Sequence, residues 1–264
     1  MAATLGRMGM SARFSGEIVQ YYARFRRGYP PAVTDRIVEA FGLTADDVVL
    51  DLGCGTGQLT TALAGHVGTV IGMDPEPDML SAAAARTSSN QQPILWVLGS
   101  DRDVPVLGRA LRPLGALTVA VAIHWMDRDA LFRTITPMLR PGGGIAVITN
   151  GVPLWLHDTD WSRELRSFLH AWQGRSPSAC QTDAAGLRLN RDALTSAGHH
   201  VTETTVDYAA PLSVEDVVGG VLSAMDLPPE EERRRFAAEL TQRLRAYAPM
   251  IEDVSVTLQL AVPR

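Results

Sequence analysis

The chain has 264 residues, 46% of them hydrophobic, with a mean hydropathy of +0.03, which is enough to enclose one α/β core and leave material for a cover over a binding site. A formal net charge of −5 supplies no general field for a phosphate backbone, and because all 24 basic residues are arginine there is no lysine for pyridoxal-phosphate or lysine-aldolase chemistry. Two cysteines, Cys54 and Cys180, make neither a disulfide framework nor a zinc spacing, and no apolar run reaches the roughly 18 residues that span a bilayer; the expectation is a soluble, cytoplasmic protein with no metal and no nucleic-acid or membrane partner.

In chain order, a helix is expected over 11–25, stopped by Arg27-Gly28-Tyr29-Pro30-Pro31, and a second over 31–41. Short apolar strands then alternate with helical patterns at about 47–51, 69–73, 94–98, 117–123 and 144–149, the rhythm of a parallel sheet buried on both faces. The rhythm breaks after 150. Trp161, Leu165, Phe168, Leu169 and Trp172 mark one face of a helix that Gly174 ends, with Asp158 and Asp160 read as its N-terminal caps. A Gly/Ser/Pro-rich loop (174–186) follows, then a helix at 190–197, a strand around 201–208, helices at 214–225 and 229–248, and a closing strand at 254–262. Ser213 with Asp216 resembles a capping box, and Pro249 ends the second of those helices. The arginine clusters at 24, 26 and 27 and at 233–235 read as solvated helix faces. The fold expected is α/β: a doubly wound, mostly parallel seven-stranded sheet with helices on both faces, an N-terminal helix and helical substrate-cap insertions. One domain spans 1–264, with its core at about 31–150 and 186–264 and cap elements at about 11–30, 151–185 and 213–248.

The most informative segment is Val48-Val49-Leu50-Asp51-Leu52-Gly53-Cys54-Gly55-Thr56-Gly57-Gln58, a buried strand running through alternating glycines into a helix. Glycine permits the tight turn and a close backbone approach to a ligand at the helix N-terminus. Dinucleotide binders space their glycines as G-x-G-x-x-G, which this turn does not do. Asp51-Leu52-Gly53-Cys54-Gly55-Thr56-Gly57 instead resembles the first motif of the class I S-adenosylmethionine (SAM)-dependent methyltransferases, an acidic residue followed by x-G-x-G-x-G. Ile71-Gly72-Met73-Asp74 looks like the family's second motif, in which an acid ending the second strand grips both ribose hydroxyls, and Met79 is placed as the contact to the adenine face. Gly99-Ser100-Asp101-Arg102-Asp103-Val104-Pro105 is similar to the turn that reads adenine; serine stands where aspartate often does, so either Ser100 or Asp101 holds the amino group.

Ala122-Ile123-His124-Trp125-Met126-Asp127 resembles the HWF-D element of type-11 methyltransferases, including relatives of the trans-aconitate enzymes, and Leu139-Arg140-Pro141-Gly142-Gly143-Gly144 resembles the turn before strand five. Tyr22-Ala23-Arg24-Phe25-Arg26-Arg27-Gly28-Tyr29-Pro30 is similar to the same subfamily's Y-x-x-x-R-P-x-Y-P run, with arginine for proline at 27. The resemblance therefore implies cofactor contacts from Tyr22, Arg26, Asp51, Gly53, Gly55, Gly57, Asp74, Met79, Ser100, Asp101 and Ile123, with Tyr22 and Arg26 reaching the methionine carboxylate and Tyr29 closing the methyl end.

A sulfonium methyl is already activated, so the enzyme supplies an in-line approach, a dry pocket and a nucleophile in its reactive protonation state. His124 is the first candidate base, with a catalytic part also for Tyr22 and Tyr29; His157 and His170 compete with His124 from the covering helix, and the His199-His200 pair reads as solvent-exposed. Trp155, Trp161, Phe168 and Trp172 either pack that helix onto the domain or line an aromatic acceptor pocket. The function expected is methyl transfer from SAM to an N, O or C nucleophile of a small molecule. A lysine-free, Ala/Arg-rich composition suggests a GC-rich genome, and with it specialised-metabolite tailoring such as antibiotic biosynthesis. Two rivals stand beside it: a nucleic-acid methyltransferase, whose N/D-P-P-Y/F motif is replaced here by Ile123-His124-Trp125-Met126, and a non-catalytic SAM-binding regulatory or assembly protein. An N-terminal helix carrying Tyr21, Tyr22 and Phe25 also suggests a homo-oligomer.

Overall fold

The computed structural model describes residues 14–87, 94–108, 113–174 and 182–264. The first turn of the expected N-terminal helix (11–13), Cys180 and most of the 174–186 loop lie outside the described residues. Strands β1 (Val48–Leu52), β2 (Thr69–Asp74), β3 (Ile94–Leu98), β4 (Leu114–Ala120) and β5 (Leu139–Asn150) run parallel; β6 (His199–Leu212) and β7 (Met250–Pro263) complete a seven-stranded sheet in the order β3-β2-β1-β4-β5-β7-β6. β7 is antiparallel to both its neighbours. The strand order reverses between β1 and β4, where Asp51 is level with Thr118, and the ends of those strands open the crevice in which such sheets bind ligands.

Alternating side chains send each apolar run to two faces. On one face Leu50, Leu52, Ile71, Leu117, Val119 and Ile145 meet Val104 of α5 (Val104–Leu107), Leu131 and Phe132 of α6 (Arg128–Ile135) and Leu194 of α8 (Ala184–Ser196). On the other, Val49, Val70, Ala116, Ala146 and Leu258 meet Val33, Ile37 and Phe41 of α2 (Pro31–Phe41) and Leu59 and Leu63 of α3 (Gln58–Leu63). α4 (Pro77–Arg86) follows β2. Sheet and helix approach most closely at Gly144, where a Cβ would come within 2.2 Å of the Phe41 ring.

A third apolar cluster holds the cap together. Leu165, Phe168 and Leu169 of α7 (Asp160–Gln173), Val217 and Val221 of α9 (Val214–Leu222), and Phe236 and Leu240 of α10 (Glu230–Leu244) are its buried members, with the Phe236 ring 5.2 Å from Phe168 and 5.1 Å from Trp172. The expected capping box is present: the Ser213 hydroxyl accepts from Asp216 N, and Asp216 accepts from Ser213 N. Other expectations are corrected. Thr159 caps α7 by accepting from Ser162 N, while Asp158 and Asp160 both pair with Arg163 at 2.6 Å. Arg233 is no solvated charge; it is 9% exposed and pairs with Glu17 at 2.9 Å. His199 is fully buried, its ring nitrogens 3.3 Å from Leu194 O and 3.4 Å from the Thr136 hydroxyl, because β6 extends beyond the expected 201–208 and carries it into the sheet.

The N-terminal helix α1 (Glu17–Phe25) bridges the cap and the sheet's ligand crevice. Arg24 pairs with Glu215 at 2.6 Å and Arg26 Nε donates to the Ser223 hydroxyl at 2.9 Å, while on the opposite side Gly16 N donates to Asp78 at 2.8 Å. Tyr21 and Phe25 stack on each other with ring centroids 6.1 Å apart, and Tyr21 packs against the cap cluster. The ring of Phe25 lies so close to Gly219 that a Cβ there would come within 2.2 Å of it. Among the described residues no helix is long and apolar enough to cross a membrane. Gly219→Val is expected to push α1 off α9 and to lower stability in urea unfolding by about 1–3 kcal/mol; adding Phe25→Ala should recover part of the loss, and an unchanged single variant would show that the contact does not seat α1.

Candidate functional site

Between β1 and α3 the chain turns through three left-handed glycines, Gly53 (φ +70°), Gly55 (+54°) and Gly57 (+80°). Sterics as well as φ require two of them to lack a side chain: a Cβ on Gly53 would meet Ala122 at 2.5 Å, and one on Gly57 would meet Trp96 at 2.6 Å. Gly53 N and Cys54 N both donate to Met73 O, at 2.8 and 3.1 Å, which ties the turn to β2. The Tyr22 ring lies over the middle of the turn, 3.6 Å from where a Gly55 Cβ would stand.

Two carboxylates hold this turn in different ways. Asp51 is 1% exposed; one oxygen accepts from the Thr60 hydroxyl at 2.6 Å and the other from the Thr118 hydroxyl at 2.8 Å, so it links β1, α3 and β4. Burial pushes its carboxyl up to about 6 against those two hydrogen bonds. Asp74, at the end of β2, accepts Gly55 N at 2.8 Å on one oxygen and Glu76 N at 3.0 Å on the other. Each oxygen keeps a lone pair for one of two adjacent hydroxyls, and burial raises this carboxyl as well.

The remaining expected residues are placed as follows. Met79 is buried beside Ile18 and Val19, under Tyr22. Ser100 donates through its N–H and hydroxyl to Asp103, at 2.8 and 3.0 Å, while Asp101 accepts from Asp127 N at 3.1 Å. Ile123 is buried in the sheet's core. His124 lies in the 3-10 turn Ile123–Trp125, 4.8 Å from the Trp125 ring, and burial followed by the nearby Arg128 lowers its pKa.

A cavity of about 320 Å³ opens beside the turn. Tyr22, Arg26, Asp51, Gly53, Cys54 and Gln58 line it from the glycine turn and α1, the paired Arg27 and Glu252 line it as well, and Tyr29, Ala120, Val121, Asn150, Leu154 and Trp155 are also among the lining residues. Of the expected site residues, Tyr22, Arg26, Tyr29, Asp51 and Gly53 are among the lining residues, and Gly55, Gly57, Asp74, Met79, Ser100, Asp101, Ile123 and His124 are not. Trp161 and Phe168 are buried in the cap core, and of the four aromatics weighed for the pocket only Trp155 reaches the cavity. Burial raises the pKa of Tyr22 and Tyr29, so both hydroxyls are protonated at neutral pH and act as hydrogen-bonding groups rather than bases.

Several lining residues carry no signal that sequence reasoning used. Gln58, the first residue of α3, accepts from the Thr56 hydroxyl at 2.9 Å, but its buried Nε2 has no partner. Val121 has φ +53°, a conformation that costs a β-branched residue about 1–3 kcal/mol; its N–H is held by Ile148 O at 2.9 Å. Glu252, from the stretch of β7 that continues past the end of β5, has its carboxyl pushed up by burial and pulled back by Arg27 and His157. Among the described residues no group of three or more His, Cys, Asp or Glu side chains could hold a metal ion.

These residues fit an adenosyl sulfonium compound. Asp74 suits a ribose diol, and the cavity beside the glycine turn offers two donors to an α-carboxylate, the unpartnered Gln58 Nε2 and the Arg26 guanidinium, which no carboxylate of the described residues pairs.

A methyltransferase-domain model matches residues 49–143. The chain is 35% identical over 147 residues to an uncharacterised methyltransferase of Mycobacterium tuberculosis, covering 56% of each chain, and so spans little more than half that relative's length. It is 30% identical over 118 residues to the methyltransferase GfsG of Streptomyces halstedii, 44% of this chain and 42% of that one. Among solved structures, a candidate type II methyltransferase from Anaeromyxobacter dehalogenans superposes with TM-score 0.58 at 21% identity, covering 91% of this chain and 100% of that one. The YcgJ protein of Bacillus subtilis gives 0.54 at 14%, covering 88% and 98%.

The raised Asp51 carboxyl sets a pH dependence. An acid whose folded pKa exceeds its unfolded value binds protons more tightly when folded, so its contribution to stability falls as pH rises from about 4 to about 6 and is constant above. A carboxyl moved to about 6 bounds that fall at on the order of 3 kcal/mol. Urea unfolding across this window should show a shallower decline for Asp51→Asn than for wild type; parallel profiles would mean the carboxyl is not perturbed.

Proposed function

We propose that this chain, which matches a methyltransferase-domain model over residues 49–143, is a class I SAM-dependent methyltransferase that moves the sulfonium methyl of SAM onto an N, O or C nucleophile of a small acceptor held under the cap. The observation that carries the reading is that one cavity is lined both by residues of the glycine turn and its neighbours, Asp51, Gly53, Gln58, Tyr22 and Arg26, and by Trp155 and Glu252, which supports the methionine end of SAM and an acceptor meeting in one space, with Asp74, Met79, Ser100 and Asp101 outside that lining. When bound, SAM supplies a methyl group already activated for in-line displacement. The chain's own residues supply position and dryness.

In this reading Asp74 accepts the two ribose hydroxyls, Met79 borders the adenine, and Ser100 or Asp101 meets its amino group. Arg26 and Gln58 take the α-carboxylate. Asp51 acts by fixing the turn through Thr60 and Thr118, and Gly53, Gly55 and Gly57 let the backbone approach. Tyr22 and Tyr29 close the space around the methyl end and exclude water. His124, outside the lining, shapes the loop after β4 with Trp125; no dedicated base is required for a nucleophile that is already deprotonated or needs only desolvation.

A cavity of about 320 Å³ lined in part by α1 and the cap supports a small acceptor over a nucleic-acid strand, and the net charge of −5 agrees. We extend the reading to a specialised metabolite in the cytoplasm, on the lysine-free, arginine-rich composition. Calorimetric titration with S-adenosylhomocysteine tests the cosubstrate half: wild type should bind, and Asp74→Ala should bind roughly 10–100-fold more weakly, the loss of a charged partner to two hydroxyls. Wild type that binds neither S-adenosylhomocysteine nor SAM contradicts the proposal.

A further inference from the structure

The part of the cavity lined by Arg27, Asn150, Trp155 and Glu252 holds polar side chains that methyl transfer as described above does not use. Arg27, just beyond α1, pairs through Nη2 with Glu252 Oε2 at 2.9 Å and reaches Pro211 O at 3.3 Å, but its Nη1 is buried with no partner. Trp155 Nε1, from the 3-10 turn Leu154–Leu156, and Asn150 Oδ1, at the end of β5, are also buried and unpartnered. Glu252 is 13% exposed, and its second oxygen is 3.7 Å from His157 Nε2, beyond hydrogen-bonding distance. Unsatisfied buried polar groups are rare and unfavourable, and each calls for an explanation. Here three, on Arg27, Asn150 and Trp155, come from three separate stretches of chain and line one cavity together with Glu252, the partner of Arg27.

Their chemistry is balanced. Arg27 Nη1 and Trp155 Nε1 are donors in want of an acceptor; Asn150 Oδ1 is an acceptor in want of a donor, and Glu252 Oε1 faces only His157 Nε2 at 3.7 Å, a ring nitrogen itself buried without a hydrogen-bond partner. The charges of Arg27 and Glu252 already cancel at 2.9 Å, so an anionic head group would gain from one what it loses to the other, and a cationic one likewise. We propose that this part of the cavity is the acceptor's head-group site and selects a neutral group with a carbonyl-type oxygen beside an O–H or N–H. The oxygen would sit on Arg27 and Trp155, and the donor on Asn150 and Glu252. This rests on the methyl-transfer reading, since it assumes that the acceptor occupies the cavity alongside the nucleoside.

The test uses the full chain saturated with S-adenosylhomocysteine and three probes of similar size, salicylamide (neutral, with hydroxyl, carbonyl and N–H), salicylate (anionic) and benzylamine (cationic), followed by ligand-observed NMR and calorimetry. Salicylamide should bind at least tenfold more tightly than the other two. Trp155→Phe, which keeps the ring and removes the N–H, and Glu252→Gln should each weaken it fivefold or more, with urea midpoints and S-adenosylhomocysteine affinity near wild type. A preference for salicylate or benzylamine, no measurable binding of salicylamide, or salicylamide affinity indifferent to Trp155→Phe would overturn the assignment. The nucleoside titration in the same samples separates the failures: nucleoside binding without the salicylamide preference sinks this inference alone, whereas no nucleoside binding sinks the methyl-transfer reading beneath it.

Discussion

The turn from β1 into α3 cannot be built with side chains at Gly53 or Gly57, and most of the site's geometry follows from that restriction. With Ala122 and Trp96 occupying the space that Cβ atoms would need, the turn lies against β2, where Met73 O receives two of its N–H groups. Asp74 can then reach Gly55 N from the end of β2, and Asp51 can collect the hydroxyls of Thr60 and Thr118 from the elements on either side. One tightly packed turn thereby fixes the relative positions of β1, β2, β4 and α3, with a buried carboxylate on each side of it. Both carboxylates are desolvated, a cost that the hydrogen bonds they accept offset only in part, so both pKa values stay raised.

The cap depends on a second close approach. Gly219 lets Phe25 lie against α9, and around that contact three arginines in and just after α1 find partners: Arg24 with Glu215 and Arg26 with Ser223 on the cap, and Arg27 with Glu252 on β7. The surface pair Arg24–Glu215 adds little by itself. Its neighbours matter more, because Arg27 and Glu252 are largely buried and stand where the cap meets the sheet's extension. α1 thus forms a wall of the cavity and couples two parts of the site: Tyr22 over the glycine turn and Arg27 in the proposed head-group site are five residues apart.

Much of this was legible in the sequence where a local pattern has a local cause. The buried strands read as apolar runs because helices cover both sheet faces, and the glycine spacing distinguished this turn from a dinucleotide site. Ser213 with Asp216 marked a helix start whose hydrogen bonds are all within four residues. The pattern was misleading where partners are distant in sequence. Arg233 looks like one of three solvated arginines, yet its partner Glu17 lies at the other end of the chain, and His199 looks exposed because nothing local shows that the β6–β7 ladder carries it inward. Glu252, Asn150 and Val121 have no motif; a 14-residue antiparallel pairing and a left-handed valine bring them to the cavity. His124 follows a strand and has a suitable intrinsic pKa, but sequence alone does not show that it sits in a 3-10 turn beside Trp125, outside the lining of the cavity.

The most direct test of the account is a crystal structure of the chain with S-adenosylhomocysteine. The account requires the nucleoside to lie across Gly53–Gly57, with both ribose hydroxyls on Asp74, the α-carboxylate near Arg26 and Gln58, and the sulfur facing the cavity that Trp155 and Glu252 line. A nucleoside bound elsewhere, or one whose ribose leaves Asp74 free, would contradict it.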